Sequence, residues 1–277
     1  MTQDTSKPWL PSAVPDSPVD RKEETWFKSS LYWFGRQFGT GSLYRDPILP
    51  TAEFLSDVND SVSHGQIEKL VTHLCGLMMV DPALVEVELF DGSAKKKEAA
   101  KRTVGHFRVK DGRAIIALDQ SEFSNPVTLT AIAVHELCHL RLQGEGRIRR
   151  GAPDGERLTD LLTVYFGFGI FTTNAAMSFA RANRAWTIVS RGQLDDRALN
   201  GATRHDGYRR LGYLRSAEFG YALACYCWLR REETLPAWTK YLNPGPYVSL
   251  EQGLAYLKRT GRTGELPPSN TVRRGQR

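Results

Sequence analysis

The 277 residues are enough to bury a core, and 41% hydrophobic with 25% charged residues is the composition of an ordinary globular protein. The net charge is +6, but residues 260–277 supply half of it through four arginines against one acid. The remaining charge is too dilute to favour a nucleic-acid partner. The four cysteines lack any C-x-x-C spacing and predict reduced thiols in a cytoplasmic protein.

The composition along the chain predicts one domain between two disordered ends. Residues 1–20 contain four prolines and no apolar core, which indicates a disordered leader and no signal peptide. Residues 21–260 have no internal repeat or Gly/Ser linker and predict a single domain, and residues 261–277 predict a basic tail. Residues 161–180 carry no charge, but their threonines and internal glycines favour a helix buried in protein over a membrane span.

Hydrophobic periodicity predicts a helix followed by three strands. Residues 66–80 have apolar side chains at helical spacing, with Ser63 as a potential cap. The period then changes to two in residues 85–90, 106–109 and 113–118, and Lys110-Asp111-Gly112 is a hairpin turn between the last two segments. These segments predict a small antiparallel sheet.

The second half of the chain is predicted to be helical. A buried central helix is expected over residues 126–143, because Asn125 can cap it, Pro126 suits its first turn and Gly144 ends an almost wholly apolar run. Residues 217–231 predict an aromatic-rich helix in the core. The fold class is therefore α+β, with a small sheet, a buried central helix and a mostly helical C-terminal half.

The segment TAIAVHELCHLRLQGEGR, residues 130–147, carries an H-E-x-x-H pattern within this central helix. His135 and His139 are four residues apart, so both imidazoles can face one metal ion, and Glu136 can reach a water bound to that ion. Two satisfied core histidines and a surface glutamate are the structural alternative. Burying three such groups is costly without a purpose, so we expect a zinc site with Glu136 as general base.

A catalytic zinc ion usually needs a third protein ligand, and three downstream acids are candidates. Glu145 stands where some H-E-x-x-H enzymes have a third histidine, but Leu142 replaces the glycine which that arrangement needs, so Glu145 is expected to be a solvated loop acid. Glu156 and Asp160 are spaced i, i+4 at the start of the long apolar helix, and either could reach the ion. Glu156 has the longer side chain and the more open position.

H-E-x-x-H followed by E-x-x-x-D on the next buried helix resembles the gluzincin group of zinc metallopeptidases. The resemblance covers about residues 105–170, and the stretch LTDLLTVYFGFGIF is similar to one in uncharacterised bacterial zincin-like proteins. It implies that His135, His139 and Glu156 bind zinc, that Glu136 is the base, and that Asp160 orients a ligand histidine. Gluzincins often stabilise the oxyanion with a downstream side chain, and the segment RHDGYRRLGY offers His205, Tyr208 and Tyr213.

The sequence thus predicts a zinc-dependent hydrolase of peptide bonds with a peptide or protein substrate. In zincins an edge strand holds the substrate by backbone pairing, and residues 113–118 are the candidate strand. The rival hypothesis is a non-catalytic regulatory or interaction protein on a similar scaffold, and a closed site with four protein ligands would favour it. Substrate identity and oligomeric state are not set by the sequence.

Overall fold

The computed structural model describes residues 16–58, 63–92, 104–182, 213–232 and 234–261. In these ranges a three-stranded sheet is preceded by three helices and followed by five. The strands are β1 (Val85–Phe90), β2 (Gly105–Lys110) and β3 (Arg113–Asp119). The helices are α1 (Arg21–Phe38), α2 (Gly41–Tyr44), α3 (His64–Leu77), α4 (Pro126–His139), α5 (Gly155–Tyr165), α6 (Gly169–Ala182), α7 (Ser216–Leu229) and α8 (Pro244–Thr260).

The predicted sheet forms, but its strand directions are mixed. The order is β1-β3-β2, with β2 antiparallel and β1 parallel to β3. The expectation of a wholly antiparallel sheet is therefore wrong for β1. Alternation sets which face of a strand is buried and carries no information on strand direction. The hairpin turn joins β2 to β3, with positive φ at Asp111 and Gly112, so β1 adds to the other side of β3.

Strand β3 is the central strand, and this overturns its predicted role as a substrate-binding edge. All its residues after Arg113 are buried, because strands flank it on both sides and helices cover the sheet. In the described part of the chain, β2 has a strand neighbour on one side only. It packs against α4, so β2 is the sheet edge that lies beside the H-E-x-x-H pattern.

The central helix α4 begins where its sequence predicts, but its α-helical part ends four residues before the predicted end at residue 143. The side chain of Asn125 accepts a hydrogen bond from Thr128 N, and Pro126 occupies the first turn. Beyond His139 the helix continues as a π turn over residues Leu140–Gly144. Nearly every side chain of α4 is buried, so polar groups on this helix must find partners inside the protein.

The long uncharged segment is two helices and not one. Helix α5 ends at Tyr165 and α6 begins at Gly169, and between them Gly167 adopts a φ of 89°. The carbonyl of Gly167 accepts a hydrogen bond from Ile48 N at 2.9 Å, which fixes this break against the N-terminal part of the chain. No helix in the described ranges is long and apolar enough to cross a membrane. Helix α7, predicted over residues 217–231, is buried in the core and packs on α8.

Candidate metal centre

The two histidines of α4 project toward the start of α5, on one face of the helix. His135 and His139 lie one turn apart, and their ring centroids are 4.8 Å apart. Their Nε2 atoms both face the carboxylate of Glu156, at 3.4 Å for His135 and 3.3 Å for His139. The nitrogen atoms that would bind a metal ion are therefore turned toward a third ligand atom.

Glu156 reaches this point because α5 starts directly beside α4. Asp154 takes a left-handed conformation, with φ of 60°, and turns the chain into α5, so Glu156 stands in the first turn. The three ligand atoms lie within 4.8 Å of one another. Tetrahedral zinc with bonds of about 2.0–2.2 Å places its ligand atoms roughly 3.3–3.5 Å apart, so the two histidine–glutamate distances fit such an ion. Two imidazoles and one carboxylate are also donors that zinc accepts.

Asp160 lies behind His135, one turn after Glu156. Its Oδ1 is 3.0 Å from His135 Nδ1, and its Oδ2 accepts hydrogen bonds from Tyr213 N and from Leu214 N, the latter at 3.0 Å. The side chain of Asp160 is 2% exposed, whereas that of Glu156 is 40% exposed. The more exposed acid thus faces the Nε2 atoms and the buried one faces Nδ1.

Without a metal ion, His135 and Glu156 shift each other's pKa values in opposite directions. Burial lowers the pKa of His135, but hydrogen bonds to Asp160 and Glu156 outweigh it and raise this pKa well above its usual value. Burial raises the pKa of Glu156, but hydrogen bonds to both histidines outweigh it and hold this pKa well below its usual range. His135 and Glu156 therefore stabilise each other's charged forms at the place where a metal ion would bind.

Glu136 is buried between α4 and the edge strand β2. Burial raises the pKa of its carboxyl group. Gly105 makes room for this side chain: a Cβ atom there would lie 2.9 Å from Glu136 Oε1 and 2.5 Å from Ile132 Cγ2. The ring of Phe107 stacks nearly parallel to that of His139, with centroids 6.4 Å apart. Strand β2 therefore forms one wall of the site.

The other predicted site residues differ in their placement. Glu145 is exposed, as expected for a solvated loop acid; it pairs with Arg141 at 2.6 Å and with Arg147, and it is not in the metal-ligand group. His205 and Tyr208 lie outside the described residues. Tyr213 meets the site through its backbone N–H on Asp160, and its side chain is partly exposed.

Two polar residues at the site were missed by the sequence analysis. Gln143 Nε2 is 3.1 Å from His139 Nδ1, and Thr159 Oγ1 is 3.4 Å from the same atom. A signal for Gln143 was present, since it follows His139 by four residues and so continues the stripe of both histidines. Thr159 lies on α5, and only the packing of the two helices brings it to His139.

The described residues thus form a mixed α+β fold with a partly buried His–His–Glu group that could hold a metal ion. No family model, curated protein or solved structure matches the chain.

Proposed function

We propose that this protein is a zinc-dependent peptidase with a zincin-like fold of the gluzincin type. The observation that carries the proposal is the convergence of His135, His139 and Glu156, with Glu136 buried one residue along the same helix. A structural metal site needs no such fourth group. Hydrolysis by a metal-activated water, in contrast, needs a general base at the position that Glu136 occupies.

His135, His139 and Glu156 would hold the zinc ion, because two imidazoles and one carboxylate are donors that zinc accepts. When bound, zinc lowers the pKa of a water molecule and polarises the carbonyl of a peptide bond. The group has three members among the described residues, as in catalytic sites that keep one position for water or substrate. Asp160 accepts the outward N–H of His135 and leaves its Nε2 free to act as the ligand.

Glu136 would take a proton from the attacking water and deliver it to the leaving amine. A carboxylate with a raised pKa suits both steps, because it accepts a proton more readily than an exposed glutamate and still releases it. The close approach of Gly105 limits the positions open to the Glu136 side chain. The wall formed by β2 therefore sets where this carboxylate meets the water.

The edge of β2 that no described strand covers would hold the peptide substrate. Asp119 N donates to Val104 O at 3.0 Å, which makes these two residues a hydrogen-bonded pair of the β2–β3 ladder. Hydrogen-bonded pairs alternate along an antiparallel ladder, so the N–H and C=O groups of Gly105 and Phe107 point away from β3. An extended peptide that pairs with them would pass beside Glu136 and His139.

The proposal is tested by separating metal binding from hydrolysis. Purified protein loaded with zinc and then dialysed should retain about one ion per chain, as expected for a mononuclear site. It should cleave members of a peptide library, with products read by mass spectrometry. Glu136→Gln should keep the zinc and lose cleavage, because an amide cannot take a proton from water.

The matched control is Glu145→Gln, the same change outside the ligand group, which should keep both properties. Protein that remains zinc-free after loading overturns the proposal. Zinc loss in Glu136→Gln would make Glu136 a ligand. Zinc binding by wild type without cleavage of any library member would favour the regulatory protein with a structural metal.

A further inference from the structure

The ring of His139 has polar contacts on both nitrogen atoms. Its Nε2 faces Glu156, whereas its Nδ1 is approached by Gln143 Nε2 at 3.1 Å and Thr159 Oγ1 at 3.4 Å. A neutral imidazole carries its proton on one nitrogen only. A metal ion on Nε2 therefore requires the proton on Nδ1, where these two side chains lie.

Thr159 acts as an acceptor toward this proton. Its hydroxyl donates its single proton to Gly155 O at 2.9 Å, within α5, and the side chain is fully buried. Only the lone pairs of Thr159 Oγ1 are then left for His139 Nδ1. Thr159 alone, at 3.4 Å, makes a long contact, so Gln143 is the closer partner of this nitrogen.

Gln143 differs in kind from the partner of the other histidine. Asp160, which contacts His135, can only accept hydrogen bonds when it is ionised. The amide of Gln143, which contacts His139, carries both a donor (Nε2) and an acceptor (Oε1) at the end of its side chain. Its nitrogen and its oxygen can therefore exchange places beside Nδ1. Half a turn of the amide brings its oxygen to Nδ1, which suits the ring that binds a metal ion.

We propose that Gln143 is a positioning residue that orients His139 for a metal ion by accepting the Nδ1 proton through its amide oxygen. It stands in the π turn that extends α4, a form of helix often found at functional sites. The role rests on the metal site of the proposed function, but it requires no peptidase activity. Zinc affinity tests it directly, whatever the substrate.

Two substitutions should change zinc affinity in opposite ways. Gln143→Leu keeps much of the side-chain volume but leaves Nδ1–H with the long Thr159 contact alone, so zinc affinity should fall about 10–100-fold, as is typical when a ligand histidine loses its partner. Gln143→Glu provides only an acceptor and should bind zinc at least as tightly as wild type. A role in packing alone would give the reverse order, because leucine packs and a half-buried carboxylate does not.

The measurement is competition against a chelator of known zinc affinity, on wild type and both variants. The cobalt-loaded forms add a spectroscopic readout: the visible bands should shift in Gln143→Leu and keep their wild-type positions in Gln143→Glu. Gln252→Leu is the matched control, since this half-buried amide lies on α8 and donates to Asp16 O at 2.8 Å. It should leave zinc affinity unchanged.

Equal zinc affinity in wild type, Gln143→Leu and Gln143→Glu overturns the role of Gln143 and leaves the metal site standing. Weaker binding by Gln143→Glu than by Gln143→Leu overturns it in favour of a packing role, and equally weakened binding by both variants overturns it because an acceptor at this position would then not suffice. Wild type that binds no zinc overturns the metal site itself, and the role of Gln143 with it.

Discussion

Substitution of the two acids of the E-x-x-x-D pattern should have different effects: one should change the free energy of zinc binding, and the other mainly the free energy of unfolding. Glu156 faces the Nε2 atoms of both histidines and is 40% exposed, whereas Asp160 is 2% exposed and accepts hydrogen bonds from three directions. We expect Glu156→Ala to abolish tight zinc binding with little effect on the metal-free fold. We expect Asp160→Asn to weaken zinc binding moderately and to destabilise the fold strongly.

The cost of Asp160→Asn follows from its contacts. The amide has one oxygen, so it can accept from His135 Nδ1 or from the N–H groups of Tyr213 and Leu214, and its NH₂ group then faces donors on the other side. At least one hydrogen bond to a buried charge is lost and one buried donor is left unsatisfied. These losses reduce the free energy of unfolding by roughly 3–5 kcal/mol. Zinc affinity should fall about 10–100-fold, because the orientation of His135 is loosened.

The cost of Glu156→Ala lies almost wholly in metal binding. A partly exposed carboxylate contributes at most about 1 kcal/mol to the fold, since solvent screens it. Removal of one of three protein ligands should lower zinc affinity by far more than the roughly 100-fold upper range for a residue behind a ligand. Glu145→Ala, outside the group, should leave zinc affinity unchanged.

The assays are urea unfolding of the metal-free proteins and chelator competition with the zinc-loaded ones. Tighter zinc binding by Glu156→Ala than by Asp160→Asn would show that the two roles are exchanged. A metal-free Asp160→Asn protein as stable as wild type would refute the argument that its buried carboxylate joins α5 to the segment at Tyr213.

Two further predictions concern β2 and the protons of the site. Gly105→Ala should lower hydrolysis with zinc content unchanged, because the new Cβ would displace Glu136 and Ile132, whereas Gly65→Ala, where a Cβ meets nothing within 4 Å, should have no effect on either property. Zinc binding at neutral pH should release protons, measured by calorimetry in buffers of different ionisation enthalpy. Burial lowers the pKa of His135, but its hydrogen bonds to Asp160 and Glu156 raise it further, so the metal-free ring is charged and zinc affinity should fall as pH drops through this raised pKa. Binding that is independent of pH between 6 and 8 would contradict this.

The sequence predicted best those features that depend on neighbouring residues. The start of α4 follows from Asn125 and Pro126, and the cap of α3 follows from Ser63, whose side chain accepts from Gln66 N. The break at Gly167 was missed although the glycines of FGFG hinted at it. That break is fixed by the hydrogen bond from Ile48 N, more than a hundred residues away along the chain, which no local pattern records.

At the site, spacing alone could place His135 and His139 on one face and offer Glu156 and Asp160 as their neighbours. It could not show what each imidazole meets on its far side, because those partners come from the packing of α5 and from the segment at Tyr213. Only the packing of α5 against α4 shows which imidazole nitrogen each of the two acids contacts. The first acid reaches past the rings to their Nε2 atoms, while the second, one turn deeper, reaches only the Nδ1 of His135. Side-chain length and depth along α5 thus distinguish two carboxylates that a motif alone leaves equivalent.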